Sequence, residues 1–454
     1  STYRFRGMMT YASGLRDDGW AYALSLSTRQ GGNDYVDGVY YNAFGYFAAI
    51  EKQIDNQHNL SFHFLGAPTE RGVQQASNQE VYDLIGTNYY NPNWGWQDGK
   101  RRNARVRRLH EPIAMLNYSY DINERTNLNV ASSFRFGQNG YSALSWHAGS
   151  DPRPDYYRYL PSFYKGTSTG AWLQEAWMGA TENTDNIRHL DWAKLYDINL
   201  NQEEDLTYGK GHRSINIIEE RHTDQRDFNL NVRFSQLFKD NSKLTQGINF
   251  RRNRTEWYNE IKDLLGGDYW IDVDKFAERD MGITNPVPYQ NNMDYYEKYG
   301  KAPIAKEGDK FGYDYYANVE DVNVWMQYYF NIGGLETTLG GELGHNSLWR
   351  EGIWKKGLFL NDSQGSSEKQ RYQTYKLKSN FKYKISGGHS LEANIAYTQD
   401  APNFQYAFVS PRTRNTATPG VSTEKIFGVD ATYALRLGGV KFRLTGYYIT
   451  FNDL

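Results

Sequence analysis

Apolar and polar positions alternate with a period of two along most of this chain. Within 374–386, Tyr375, Leu377, Phe381, Tyr383 and Ile385 share one face of an extended strand. Lys376, Lys378, Asn380, Lys382 and Lys384 share the other, because successive strand side chains point to opposite sides. The split repeats at 226–235, where Phe228, Leu230, Val232 and Phe234 oppose Asp227, Asn229, Asn231 and Arg233. Leu128, Val130, Phe134 and Phe136 stand against Asn127, Asn129 and Arg135, and Phe427, Val429, Ala431, Tyr433 and Leu435 against Gly428, Asp430, Thr432 and Arg436.

Short turns join these strands in pairs. Arg16-Asp17-Asp18-Gly19, Asp55-Asn56-Gln57-His58, Asn123-Glu124-Arg125-Thr126 and Lys239-Asp240-Asn241-Ser242 are four of them. Asn331-Ile332-Gly333-Gly334, Ser386-Gly387-Gly388 and Leu437-Gly438-Gly439 are three more. Gly, Asn and Asp supply the positive φ that tight hairpins demand. Seven hairpins predict about fourteen strands. The other connections are long, near 31–38, 68–109, 138–222, 258–313, 351–369 and 401–423, with short helices expected at 79–85 and 171–178. Short turns at one end and long loops at the other predict a transmembrane antiparallel β-barrel of the outer-membrane kind, with its long loops outside.

Composition supports that architecture. The 454 residues are only 39% hydrophobic, yet 16% are aromatic, including 38 Tyr and 12 Trp. The mean hydropathy is -0.79. A disordered chain would be poor in aromatics, and a helical membrane protein would need runs of about 20 apolar residues. A barrel needs apolar residues only at alternate positions, with aromatic girdles at the two interfaces. The net charge of -2 gives no reason to expect nucleic acid, and the absence of cysteine rules out disulfides and thiolate chemistry.

A sequence resemblance adds to this picture. Asp263-Leu264-Leu265-Gly266-Gly267-Asp268-Tyr269-Trp270, continuing through Asp272, Asp274 and Phe276-Ala277-Glu278-Arg279-Asp280, resembles a barrel-loop segment of TonB-dependent receptors of Bacteroidetes. Ser410-Pro411-Arg412-Thr413-Arg414-Asn415, then Glu424-Lys425, Gly446-Tyr447-Tyr448 and Phe451-Asn452-Asp453, resembles the later barrel of the same receptors. The resemblance implies a barrel of 22 strands, of which residues 1–454 would be a portion, with the plug domain, the TonB box and the terminal strands lying outside the sequence. It also implies the TonB complex as a partner acting through the plug, and makes a surface lipoprotein lid a candidate partner.

Two enzymatic signatures are absent: there is no His-Glu-x-x-His and no phosphate-binding glycine loop ahead of a helix. No catalytic residue, metal site or cofactor is assigned. His212, His222, His345 and His389 stand isolated in sequence, and His110-Glu111 reads as the start of a strand. Glu203-Glu204-Asp205, Glu219-Glu220 and the set Asp272, Asp274 and Glu278 offer oxygen ligands for Ca²⁺ but match no calcium loop, so solvated loop surface is preferred. Arg101, Arg102, Arg105, Arg107 and Arg108 read either as a site for an anionic solute or lipopolysaccharide phosphate, or as a solvated loop.

The candidate ligand-binding residues are aromatic: Tyr89, Tyr90, Trp94 and Trp96 in one loop, Tyr156, Tyr157 and Tyr159 in another, and Tyr295 and Tyr296 in a third. Aromatic faces stack on sugars, peptide side chains or chelators, while the alternative is that they pack the loops together. The function expected is TonB-dependent uptake of a scarce bulky nutrient across the outer membrane, an oligosaccharide or peptide ahead of an iron chelate or cobalamin. A passive porin or an adhesin is the alternative.

Overall fold

The computed structural model describes residues 4–32, 35–179, 187–281 and 285–452. Fourteen strands form one antiparallel meander in chain order. They are β1 (Phe5–Ala12), β2 (Trp20–Gly32), β3 (Tyr40–Gln53), β4 (His58–Gly66, resuming at Thr69–Gly72), β5 (Val106–His110, resuming at Ile113–Asn123), β6 (Thr126–Trp146) and β7 (Asn216–Leu237). Then follow β8 (Lys243–Asp263), β9 (Lys310–Ile332), β10 (Leu335–Gly352), β11 (Gln370–Ser386), β12 (His389–Asp400), β13 (Glu424–Leu437) and β14 (Val440–Asn452). Each pairs with its neighbours in sequence, and among the described residues β1 pairs only with β2 and β14 only with β13. The sheet is thus a partial barrel wall, and all seven predicted hairpins are present. At the β9–β10 turn, Gly333 and Gly334 take φ of 56° and 86°, the two positive values a two-residue hairpin needs.

The register puts the apolar positions on one continuous outer face. Val130, Val232, Ile248, Val324 and Leu343 are successive cross-strand partners, as are Leu230, Phe250 and Val322. Ile248, Val324 and Leu343 remain about half to two-thirds exposed, as expected of side chains that meet lipid. Aromatics with polar tips close the belt at the short-turn end: Trp20 stacks beside Tyr22, His58 on Tyr120, and Tyr328 donates to Ser242 Oγ. At the long-loop end Tyr316 lies under Arg254 and Trp349 under Lys369. From Tyr328 to Tyr316 is twelve residues along β9, which at ~3.3 Å each and a ~45° tilt spans ~28 Å, close to the ~25 Å apolar band of such barrels.

The opposite face carries a polar ladder. Asn231 donates to Asn249, Asn249 to Asn323 at 2.7 Å, and Asn323 to Asp321 at 3.1 Å. Asn380, Asn394 and Asp430 repeat the motif at 2.7 and 2.9 Å. Lys376 pairs with Glu342 and Asp400 on this same face, as the alternation predicts for the lumen.

Where the long-loop end begins, three neighbouring strands are distorted together. Pro68 and Pro112 break β4 and β5, since neither can donate to the ladder, and Phe44 and Phe136 bond their carbonyls instead. Gly137, at φ 138°, faces the His110 carbonyl, leaving no room for a side chain. Beyond this level the strands run further than the alternation indicates: β6 reaches Trp146, β7 starts at Asn216, and β8 and β9 run to Asp263 and from Lys310. The connections expected at 138–222 and 258–313 are accordingly shorter. Neither face meets lipid there, so the ladder continues without an apolar stripe to announce it.

The loops build cores of their own. Helix α1 (Gln79–Ile85) begins where Asn78 accepts from the Val81 N–H and ends where Gly86 takes φ 79°. Together with α2 (Ser168–Gly179) it encloses Val81, Tyr90, Leu160 and Trp177. Helix α3 (Trp192–Leu200) packs Trp192 and Leu195 against Ala104, Leu190, Ile218 and Leu265. Helices α4 (Lys275–Met281) and α5 (Met293–Tyr299) lie in the β8–β9 loop, and α6 (Phe404–Ala407) lies in the β12–β13 loop. No described helix is long and apolar enough to cross a membrane.

Candidate functional site

The luminal side of the long-loop end holds a cavity of about 340 Å³. Ser145, Glu219, Arg221, Asn259 and Tyr313 reach it from β6–β9, while Lys275, Phe276, Phe359, Lys356 and Arg412 come from the loops. Arg221 lies on the face opposite the lipid stripe, as does Asp227, which accepts from Arg135 and Arg251. The loops are held inward chiefly by Arg350. It is 1% exposed and donates to Pro411 O and Asn415 Oδ1, both at 2.5 Å, and to Ser363 O at 2.7 Å. Phe404, Ala407 and Phe408 of the β12–β13 loop pack on Tyr313, Tyr315, Ala317 and Leu348.

The lining is cationic. Arg221, Lys275, Lys356 and Arg412 stand against Glu219 and Asp274, an excess of two positive charges. Three of these charged groups are already engaged, for Glu219 holds Arg221 at 2.5 Å, and Asp274 Oδ1 accepts from the Phe276 and Ala277 amides at the start of α4. Lys275 donates to Trp146 O at 2.9 Å, and burial pushes its ammonium below the usual lysine range. Lys356 donates to Asn291 Oδ1 and Gly312 O and sits near the buried Asp272. Burial brings it down to about 8, against the opposing pull of Asp272. Arg412 lies over the Tyr313 ring at 5.1 Å and is exposed, with no ion pair among the described residues. An exposed guanidinium over an aromatic ring, at the mouth of a positively charged cavity, is suited to a carboxylate or a delocalised anion.

None of the residues expected to bind ligand lines this cavity. Tyr90 is 7% exposed and donates to Arg188 O, and Trp94, at 1%, packs against His189 and Arg101. Both hold loops together. Trp96 shares Arg101 with Trp94, leaving Tyr89 exposed beside them. Tyr295 and Tyr296 are half-buried on α5, where Tyr295 packs on Tyr299. Only the second group forms a presented surface: Tyr156 meets Tyr157 at 4.7 Å and Tyr159 at 5.4 Å, and Tyr157 reaches Phe163. Tyr157 and Tyr159 are 50% and 37% exposed.

The arginine run is structural. Arg101 pairs with Asp37, Arg102 with Asp263, and Arg105 donates to Tyr141. Arg107 donates to Asn139, while Arg108 bridges Glu70 and Glu220. His222 is not isolated: Glu220, Asp224 and Glu260 surround it. Glu220 and Asp224 stand two residues either side of His222 on one strand face, and only Glu260 depends on the β7–β8 register.

No protein-family model matches this chain, and no curated protein matches it. Its fold is nevertheless similar to solved structures. The ferric citrate transporter FecA in its unliganded form superposes with a TM-score of 0.58 at 11% identity, over 98% of this chain and 48% of that one. The ferric-catecholate import receptor Fiu from K12 E. coli, in its closed form, gives 0.56 at 11%, over 98% and 56%. The copper transporter OprC gives 0.55 at 9%, over 99% and 52%. The chain therefore spans about half the length of these structures, and the likeness establishes the β-barrel fold.

Proposed function

We propose that this chain is part of the wall of a TonB-dependent receptor that takes up a bulky anionic nutrient across the outer membrane of a Gram-negative bacterium. The observation that carries this reading is the luminal cavity, with its excess of positive charge and the exposed Arg412 over Tyr313. Polar ladders line the rest of the lumen, as a wall against a hydrated plug requires. The barrel fold shared with ferric citrate, ferric-catecholate and copper transporters supports uptake over adhesion. A plug domain and further strands completing a 22-stranded barrel, the TonB complex, lipopolysaccharide around the rim and a surface lipoprotein lid belong to this proposal, as does an origin in Bacteroidetes.

The cavity favours a carboxylate- or catecholate-bearing metal chelate over the oligosaccharide or peptide expected from loop aromatics. A neutral sugar gains little from a net excess of two positive charges, whereas an anionic chelate is attracted by it. The exposed Tyr156, Tyr157 and Tyr159 surface keeps a second reading, stacking of a sugar or peptide, with a specific observation behind it. Calorimetry of the purified protein with ferric citrate, a ferric catecholate and a set of neutral oligosaccharides separates the two. Binding of an anionic chelate that Arg412→Ala weakens at least about tenfold supports the first. Oligosaccharide binding lost on Tyr157→Ala and indifferent to Arg412→Ala overturns it.

A further inference from the structure

Outside the barrel, just beyond the lipid belt, β7 and β8 bring together a cluster that uptake does not use. Glu220 and Glu260 are cross-strand partners, and His222 lies two residues along β7 on the same face as Phe228 and Leu230. His222 Nε2 is 3.6 Å from Glu220 Oε2 and 4.0 Å from Glu260 Oε2. One ligand atom from each residue lies within 4.8 Å of the others. His222 is only 7% exposed, and its Nε2 has no hydrogen-bond partner. A buried imidazole nitrogen without a partner is costly, and this one is aimed between two carboxylates.

The ring is fixed from behind. Asp224 Oδ1 lies 3.4 Å from His222 Nδ1, and its Oδ2 accepts from Tyr258 Oη at 2.9 Å. Tyr258 stacks on the imidazole at 4.5 Å with 3° between planes. A carboxylate on Nδ1 is the support that metal-bound histidines carry, and with an ion bound it would hold the tautomer whose Nε2 is the ligand. The charge is also unbalanced. Glu70, Glu220, Asp224 and Glu260 outnumber Arg108 and Lys262 by two around this point.

We infer that Glu220, His222 and Glu260 bind a divalent transition cation on the outer wall of the barrel. Metal–ligand bonds of ~2.0–2.2 Å bridge ligand atoms up to ~4 Å apart, and His222 Nε2 stands 3.6 and 4.0 Å from the two carboxylates. One imidazole and two carboxylates suit Zn²⁺, Mn²⁺ or Fe²⁺ better than the softer cations that thiolates select. Arg108 stays on Glu220 Oε1 at 2.9 Å, while Lys262, whose side chain is 40% exposed, gives up Oε2 to the cation. The remaining coordination positions open onto a cleft bordered by Gln30, Asn42 and Glu70, wide enough for water ligands.

The test is Co²⁺ titration of the purified, EDTA-treated protein in detergent, followed by visible d–d absorption and by competition with Zn²⁺. The account predicts one Co²⁺ per chain, displaced by one equivalent of Zn²⁺. Glu260→Gln and His222→Ala should each weaken it at least tenfold, and Asp224→Asn by roughly 10–100-fold through loss of the oriented tautomer. Glu256→Gln, four residues from Glu260 on the same face but outside the cluster, should leave it unchanged. Heat-modifiable migration on gels confirms that each variant is folded, and Glu260→Gln, the mildest change, decides if His222→Ala is not. Absent absorption bands, or binding that Glu260→Gln leaves unaltered, would overturn the inference, and His222 would then be a protonated partner of its carboxylates.

Discussion

Val324 and Gln327 lie three residues apart on β9, within the same belt but on opposite faces. Val324 is 49% exposed between the cross-strand partners Ile248 and Leu343, while Gln327 faces the lumen. Val324→Arg puts a guanidinium into hydrocarbon near the middle of the belt, which costs about 2–4 kcal/mol on a barrel. Taking ~3 kcal/mol, the folded population relative to unfolded falls by a factor of ~100. Gln327→Arg, within the belt but ~7 Å nearer its short-turn edge, keeps its charge in the polar lumen, and the change should stay within ~0.5 kcal/mol. Guanidinium unfolding of both variants in phospholipid vesicles, read by heat-modifiable migration, measures the difference. Equal losses, or a larger loss for Gln327→Arg, would refute the assignment of faces and with it the membrane reading of the alternation.

Other consequences follow from the loops. Arg350→Met leaves three carbonyl-type acceptors without their charged donor and should cost about 2–4 kcal/mol, seen as faster protease cleavage within 353–369 and 410–415, with Arg350→Lys recovering only part. Trp94→Ala empties a buried site and should cost about 3–5 kcal/mol, opening 73–105 to protease, whereas Tyr157→Ala should leave stability within ~0.5 kcal/mol. Lys356, pushed down to about 8 by burial, has an unfolded pKa near ~10.4. Between those pH values the unfolded loop binds more protons, so loop stability should rise with pH, and protease cleavage near 356 should be slower at pH 9.5 than at pH 7.5. Cleavage that accelerates over that interval would show that Lys356 keeps its proton in the folded loop.

The wall was legible in the sequence because lipid enforces it. Phe228, Leu230, Val232 and Phe234 had to alternate with polar residues, and the Gly, Asn and Asp turns marked the hairpins. A short helix at 79–85 was legible too, and α1 spans those residues. Above the belt that constraint ends, so the extensions of β6 to Trp146 and of β7 back to Asn216 left no stripe to read. The cavity was hidden for another reason. Arg221, Lys275, Lys356 and Arg412 come from four segments spread over 190 residues, and only the packing of loops around Arg350 brings them together. Aromatic content points two ways: Tyr90 and Trp94 have the chemistry to bind a ligand, but large rings in long loops are also what those loops need for cores. The His222 cluster did have a local signal, Glu220 and His222 at i and i+2 on one strand face. Its third member, Glu260, depended on the β7–β8 register.

The central claim is a gated uptake barrel, and single-channel conductance of the full protein, purified from its native membrane into a planar bilayer, tests it most directly. A gated barrel should be nearly silent, with large openings only after mild denaturant loosens a plug. Steady open conductance without denaturant would contradict it and make this wall that of a passive pore.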